Sequence, residues 1–340
     1  MSDFGTAMRG RSVFVTGAYG MLGGWLVRAL LDRGATVTVL RRDDVRASLL
    51  RLDGLEARCS VVQGDLLTPG LVSRAIGEYE CDTVFHLAAQ TIVGTANRSP
   101  VSTFETNIRG TWLLMDACRE HAVERTVVAA SDKAYGAHET LPYREEMPLQ
   151  PRFPYDVSKA CTDLIARSYW HTYGVPVAVT RLANIYGGGD LNRSRLLPEA
   201  IAAVLRGRRP VVRSDGSPER DFLYAEDAVD AYLAICDVLD RDGAADGPVA
   251  EPIARGEVFN AGGDRPHSVR SVLDAVVRVS GVDLDLDIRG TGTPTGEIDR
   301  QYVDSSKLRE RTGWAPRVDL DSGIARTIEW YRRHPDALGG

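Results

Sequence analysis

The chain has 340 residues, 44% hydrophobic and 26% charged, with a formal net charge of −6. That is the balance of a folded globular protein; the mild acidity leaves no footprint for nucleic acid, and no apolar run reaches the ~20 residues of a membrane span. Five scattered cysteines (Cys59, Cys81, Cys118, Cys161, Cys236) without a Cys-x-x-Cys argue against a metal site or a disulfide framework. The opening residues lack a signal-peptide layout, so a cytoplasmic location is expected. Of 41 basic residues only three are lysines, Lys133, Lys159 and Lys307.

Short β-branched runs alternate with helical patterns through the first half. Ser12–Thr16 reads as a buried strand, followed by a helix over about 20–33. Strands at Thr36–Leu40, Cys59–Gln63, Thr83–Leu87 and Thr126–Ala130 follow, with helices at about 69–79 and 101–121. A helix Tyr155–Tyr173 and a strand Val175–Arg181 extend the series. Apolar strands alternating with helices predict a parallel sheet covered on both faces. After Gly187 the pattern loosens into helices near 197–208, 227–240, 268–280 and 320–333. The Ala-, Gly- and Pro-rich stretch 241–256 reads as a surface loop. The expected architecture is α/β: a Rossmann-type doubly wound parallel sheet over 1–186 and a smaller mixed α/β region over 187–340, with segments returning to the first.

Directly after the first strand stands Gly17-Ala18-Tyr19-Gly20-Met21-Leu22-Gly23. Glycines at this spacing, opening a helix, let a pyrophosphate approach backbone N–H groups that a Cβ would hold away. The spacing Gly-x-x-Gly-x-x-Gly resembles that of the extended short-chain dehydrogenase/reductase family. The second strand ends in Arg41-Arg42-Asp43-Asp44, where a dinucleotide site carries an acid for a ribose hydroxyl or an arginine for a 2′-phosphate. The two guanidiniums favour NADP, with NAD also compatible. Asp65 and Leu66, after the third strand, lie where this family contacts adenine, and Leu87, Ala88 and Ala89 lie where its backbone meets the cofactor.

Tyr155-x-x-x-Lys159 places two side chains on one helix face. A phenol, with an unperturbed pKa of about 10, is a weak base near neutrality. A neighbouring ammonium favours the phenolate, which then takes a hydroxyl proton as hydride leaves the same carbon. Ser131, at a strand's C-terminal end, completes a Ser-Tyr-Lys set. The following Asp132 and Lys133 separate the branches of the family: 4-epimerases carry small neutral residues after the serine, most sugar-nucleotide 4,6-dehydratases carry Thr-Asp-Glu, and CDP-glucose 4,6-dehydratases carry Ser/Thr-Asp-Lys, which this chain resembles. In such a reaction Asp132 suits the acid that expels the C6 hydroxyl, and Lys133 either stabilises the enolate or acts as the base.

The resemblance runs through most of the chain. His86-Leu87-Ala88-Ala89-Gln90 implies that Gln90 or Thr91 faces the sugar. Arg181-x-x-Asn184-x-Tyr186-Gly187 places Asn184 near the diphosphate. Arg195-Leu196-Leu197-Pro198 resembles the CDP-glucose dehydratase loop, with Leu197 toward the substrate. Arg220 in Arg220-Asp221-Phe222 and Arg300 in Arg300-Gln301-Tyr302 are the implied diphosphate contacts, and the Arg220 motif is that of dTDP- and UDP-sugar enzymes. The resemblance thus implies a nucleotide-sugar substrate, a 4,6-dehydratase or, alternatively, a UDP-sugar 4-epimerase, and a homodimer built from a four-helix bundle of the 101–121 and 155–173 helices.

Overall fold

The computed structural model of the chain describes residues 3–244, 253–292 and 298–338. Six strands come from the first half: β1 (Ser12–Thr16), β2 (Thr36–Arg41), β3 (Ser60–Gln63), β4 (Thr83–His86), β5 (Arg125–Ala129) and β6 (Val177–Leu182). The second half supplies shorter ones: β7 (Asn184–Tyr186), β8 (Val211–Val212), β9 (Glu219–Tyr224), β10 (Val258–Ala261), β11 (Pro266–Ser268), β12 (Asp287–Ile288) and β13 (Arg300–Gln301). The principal helices are α1 (Met21–Asp32), α2 (Leu71–Glu78), α3 (Gly110–Glu120), α4 (Pro154–Tyr173), α5 (Leu196–Leu205), α6 (Ala225–Ala244), α7 (Val269–Ser280) and α8 (Leu320–Arg333).

The central sheet is parallel throughout, in the order β10-β6-β5-β4-β1-β2-β3. Alternation decides which face each residue covers. Val13 and Val15 of β1 point into the core shared with Leu26 and Leu30 of α1 and Leu233 of α6. Phe14 points the other way, into the core with Leu114 and Cys118 of α3 and Ala166 of α4. Strand order reverses between β1 and β4, and the crevice at such a reversal is where open α/β sheets bind ligands.

Local chemistry sets the helix ends. Pro154 opens α4 and Gly174 closes it in the left-handed conformation. Ser268 and Asp319 cap α7 and α8 by accepting the N–H groups of Ser271 and Ser322. The segment before α3 differs from a plain helix: Pro100–Phe104 is α-helical and Glu105–Arg109 forms a π-helical turn. The second half builds a small sheet, β11-β9-β13 with β7 beside β9, against α6, α7 and α8.

The end of α6 differs from the sequence expectation. Helix α6 runs on to Ala244, so the loop expected from 241 begins later; residues 245–252 of that loop lie outside the described residues. Its far end is tied back by the Asp242 carboxylate, which accepts the N–H groups of Ile253 and Ala254 at 3.0 and 2.8 Å.

Candidate active site

The glycine loop leaves β1 with Gly17 at φ +76°, and a Cβ there would sit 2.7 Å from the Ala88 nitrogen. A Cβ on Gly23 would strike the Gly17 carbonyl at 2.1 Å, so this glycine lets α1 lie against the strand end. Gly20 is different. It is exposed, caps α1 with no side-chain acceptor, and a Cβ there would meet only the Gly17 oxygen at 3.3 Å. The first amides of α1, from Met21 and Leu22, follow this glycine at the positive end of the helix dipole. These residues fit a dinucleotide's diphosphate.

Around this loop the side chains are engaged with one another. The Tyr19 hydroxyl donates to Glu56, which also accepts from Arg41 Nη1 at 3.1 Å, while Arg41 Nε donates to Gln63 at 2.5 Å. Arg42 pairs with Asp43 at 2.6 Å on the surface. Asp65 accepts the Leu67 N–H at 2.8 Å, and the Leu66 side chain is buried. After β4, the Ala88 N–H donates to Thr16 Oγ1 at 3.2 Å, which fixes the Leu87–Ala89 backbone against β1. Burial holds the His86 imidazole neutral, its pKa lowered to about 3, with Nδ1 2.8 Å from Thr16 Oγ1.

The residues expected to react converge from the end of β5 and from α4. Ser131 follows β5 and caps a 3₁₀ turn, Asp132–Tyr135, by accepting the Lys133 N–H. Its hydroxyl donates to Asp132 Oδ1 at 3.1 Å and acts on the neighbouring Tyr155 phenol. Tyr155 is 8% exposed; burial pushes its pKa up to about 12, with Arg195 opposing and Asp132 reinforcing the shift. One turn along α4, Lys159 is buried and donates to the Ala129 carbonyl at 2.7 Å; burial lowers it to about 8. Asp132 is 3% exposed, burial raises its pKa against the pull of Lys133, and its Oδ2 has no hydrogen-bond partner. The Lys133 ammonium donates to Gln301 Oε1 at 3.4 Å.

The expected substrate residues are distributed less tightly. Arg220 Nη1 donates to the carbonyls of Glu219 and Asp299, and its charge acts on Asp132, so it lies on the cleft. Asn184 donates to the Asp221 carbonyl at 3.1 Å. Arg300 points outward, about half exposed, and pairs with Glu219 at 2.7 Å. The Gln90 side chain is used by its own loop, accepting the Ile92 N–H and donating to the Ile92 carbonyl and Thr103, with Thr91 half-buried beside it. The Leu197 side chain belongs to the main core.

Several site residues escape sequence reasoning. Asn107, inside the π-helical turn, accepts the Gln90 N–H at 2.7 Å and donates to the Gln90 carbonyl and to Ser158, so it ties the loop after β4 to α4. A π-turn is a common functional insertion, and the signal for it in the sequence is the run Asn107-Ile108-Arg109-Gly110-Thr111. Asp156, directly after Tyr155, is 5% exposed, and its pKa is raised to about 6 by burial, with Lys133 opposing. Asp221 is sealed behind the cleft, accepts the Gly263 N–H at 2.7 Å, and is pushed up to about 7 by burial. Neither acid had a spacing signal. Lys307 serves packing: it pairs with Glu257 at 2.6 Å and lies over the Phe259 ring.

A doubly wound sheet with an open glycine loop at its reversal, and a Tyr-x-x-x-Lys helix beside it, defines a dinucleotide-dependent enzyme of the short-chain dehydrogenase/reductase fold. The model of the NAD dependent epimerase/dehydratase family matches residues 13–262, and the chain belongs to that family. It is 31% identical over 337 residues to a dTDP-glucose 4,6-dehydratase of Xanthomonas campestris, covering 93% of this chain and 92% of that one. It is 32% identical over 328 residues to the dTDP-glucose 4,6-dehydratase of Streptomyces antibioticus, covering 94% and 92%. Among solved structures, the dTDP-glucose 4,6-dehydratase DesIV of Streptomyces venezuelae, with NAD bound, is 28% identical with a TM-score of 0.81 and coverage of 95% and 97%. A UDP-glucose 4-epimerase of Thermotoga maritima, with UDP-glucose, is 25% identical with a TM-score of 0.84 and coverage of 95% and 99%. No described helix is long and apolar enough to cross a membrane.

Proposed function

We propose that this enzyme is a nucleoside-diphosphate-hexose 4,6-dehydratase that converts its substrate to the 4-keto-6-deoxy sugar. One observation carries the reading: Asp132, a buried carboxyl held toward its protonated form with an unpartnered Oδ2, sits beside Lys133 and is hydrogen-bonded to the serine that also meets Tyr155. A 4-epimerase has no work for a buried acid there; an elimination does.

The bound nicotinamide supplies reversible hydride acceptance. Every other step falls to side chains. Tyr155 takes the proton of the C4 hydroxyl as C4 is oxidised, and Ser131, whose hydroxyl donates to Asp132, holds that hydroxyl in place. Lys159 lends the phenol a positive neighbour. The C4 ketone acidifies C5–H, and Asp132 gives its proton to the departing C6 oxygen. Arg220 supports the substrate diphosphate at the cleft edge. The engagement of Arg41 by Glu56 and Gln63, and of Arg42 by Asp43, supports NAD as the resident dinucleotide in place of the NADP favoured by the two arginines in the sequence. Ser131-Asp132-Lys133 supports CDP-glucose as substrate, whereas the dTDP-glucose dehydratases among its relatives support dTDP-glucose.

Incubation with CDP-, dTDP-, UDP- and GDP-glucose in D₂O, followed by NMR, tests the reading. A new C6 methyl signal with deuterium at C5 is the expected result, and the nucleotide giving it fixes the base. Inversion at C4 with C6 unchanged would assign the protein to the second reading, a UDP-sugar 4-epimerase, which the likeness to the Thermotoga enzyme favours.

A further inference from the structure

The Ser131–Lys133 segment offers an acid but no carboxylate free to act as a base, because Asp132 already has its part in expelling water. Helix α4 packs directly on the 132–135 turn and brings a second carboxylate to it. Asp156 follows Tyr155 in the first turn of α4, is 5% exposed, and has no hydrogen bond or direct ion pair among the described residues. The charges that act on it are those of Lys133 and Asp132. Lys133 itself donates to Gln301, and its charge acts on both carboxyls.

We propose that Asp156 is the base that removes the C5 proton, while Lys133 acts as the ammonium that stabilises the enolate. This rests on the dehydratase reading above and deepens it. The C5–H bond breaks, its proton passes to an Asp156 oxygen, and its electron pair enters the C4–C5 enolate. The enolate collapses, the C6–O bond breaks, and the oxygen takes the Asp132 proton and leaves as water. The two electrons withdrawn from C4 return at C6, and Asp156 hands its proton back to C5. Carbon 4 has then been oxidised, carbon 6 reduced, and one water lost. A carboxyl titrating near 6 is matched to this duty at neutral pH.

The C5 step can be read without turnover of the dinucleotide. The 4-keto-6-deoxy product, made by the wild-type protein from the nucleotide-glucose it accepts, is returned to fresh enzyme in D₂O, and deuterium uptake at C5 is followed by NMR. Asp156→Asn is expected to slow this exchange at least about 100-fold. The sugar-dependent absorbance transient at 340 nm, which reports oxidation at C4, should stay close to the wild-type rate. Lys133→Met should retain part of the exchange, because the base is still present. Exchange by Asp156→Asn at the wild-type rate would overturn the proposal, and so would loss of exchange and C4 oxidation together, which would mark Asp156 as a support for Tyr155. If the wild-type protein forms no 4-keto-6-deoxy sugar, the dehydratase reading fails and the proposal with it.

Discussion

The Arg181 guanidinium on β6 meets the Asp163 carboxylate on α4 at 2.8 Å with both side chains sealed from solvent. The same guanidinium donates to the Tyr135 hydroxyl at 2.9 Å and stacks on its ring, and Tyr135 donates to Asn260 of β10 at 2.8 Å. The pair therefore joins four elements and anchors the end of the turn that carries Asp132 and Lys133. Breaking a buried pair leaves an uncompensated charge. Asp163→Ala is expected to destabilise the fold by about 3–5 kcal/mol, read from urea denaturation.

Tyr135→Phe removes one hydroxyl from that network and leaves Arg181 and Asn260 each short of a partner. The expected loss is about 1–3 kcal/mol, again by urea denaturation. The same variant should lower the elimination rate more than the 340 nm transient, because the turn it anchors holds Asp132 while Tyr155 stands on α4.

Tyr155→Phe keeps the ring in its buried site and deletes the proton acceptor. Activity on the accepted sugar nucleotide should fall about 10²- to 10⁴-fold, with an unchanged circular dichroism spectrum. Residual C4 oxidation at the wild-type rate would remove Tyr155 from the reaction.

Asp221 gives a pH prediction with a definite sign. Its carboxyl titrates near 7 in the folded protein and at its ordinary value of 3.8 when unfolded. Between those values the native state holds the extra proton, so this residue lowers stability as pH rises from about 4 to 7, by on the order of 4 kcal/mol in all. Asp221→Asn keeps an oxygen for the Gly263 N–H. It should be more stable than wild type at pH 8 and nearly equal at pH 4, as thermal melts across that range would show.

The outer face of the helices around the π-turn carries exposed apolar residues: Val101 at 70%, Leu164 at 58% and Trp112 at 43%. An apolar patch of this kind marks an interaction surface, and it supports a homodimer through these helices. Leu164→Glu should shift the protein to the mass of a single chain in light scattering, whereas a single-chain mass for the wild type would remove the dimer.

The sheet and the Tyr155-x-x-x-Lys159 pairing are readable in the sequence because both depend on local pattern. Alternation marked β1 to β6, and a fixed spacing of four set Tyr155 and Lys159 on one face of α4. What it hid depends on tertiary contact. Arg41 stands open in the sequence, and folding brings Glu56 to its guanidinium. The Gln90 side chain, expected toward a sugar, bonds to Ile92 and Thr103 of its own loop. Leu197 sits on the inward side of α5. Asp156 was invisible for the opposite reason: nothing in its neighbours along the chain says that the 132–135 turn folds over it.

Strand β10 reaches the central sheet from residue 258, with Asn260 in register with Arg181. A chain emerging vectorially from the ribosome must therefore carry an open β6 edge through some 75 further residues of synthesis before its sheet is complete. Until then the Arg181 network lacks its Asn260 terminus, and the unpaired edge is a template for association with other strands. Proteolytic nicks or premature stops ahead of residue 258 should consequently yield aggregates in place of a smaller folded nucleotide-binding fragment.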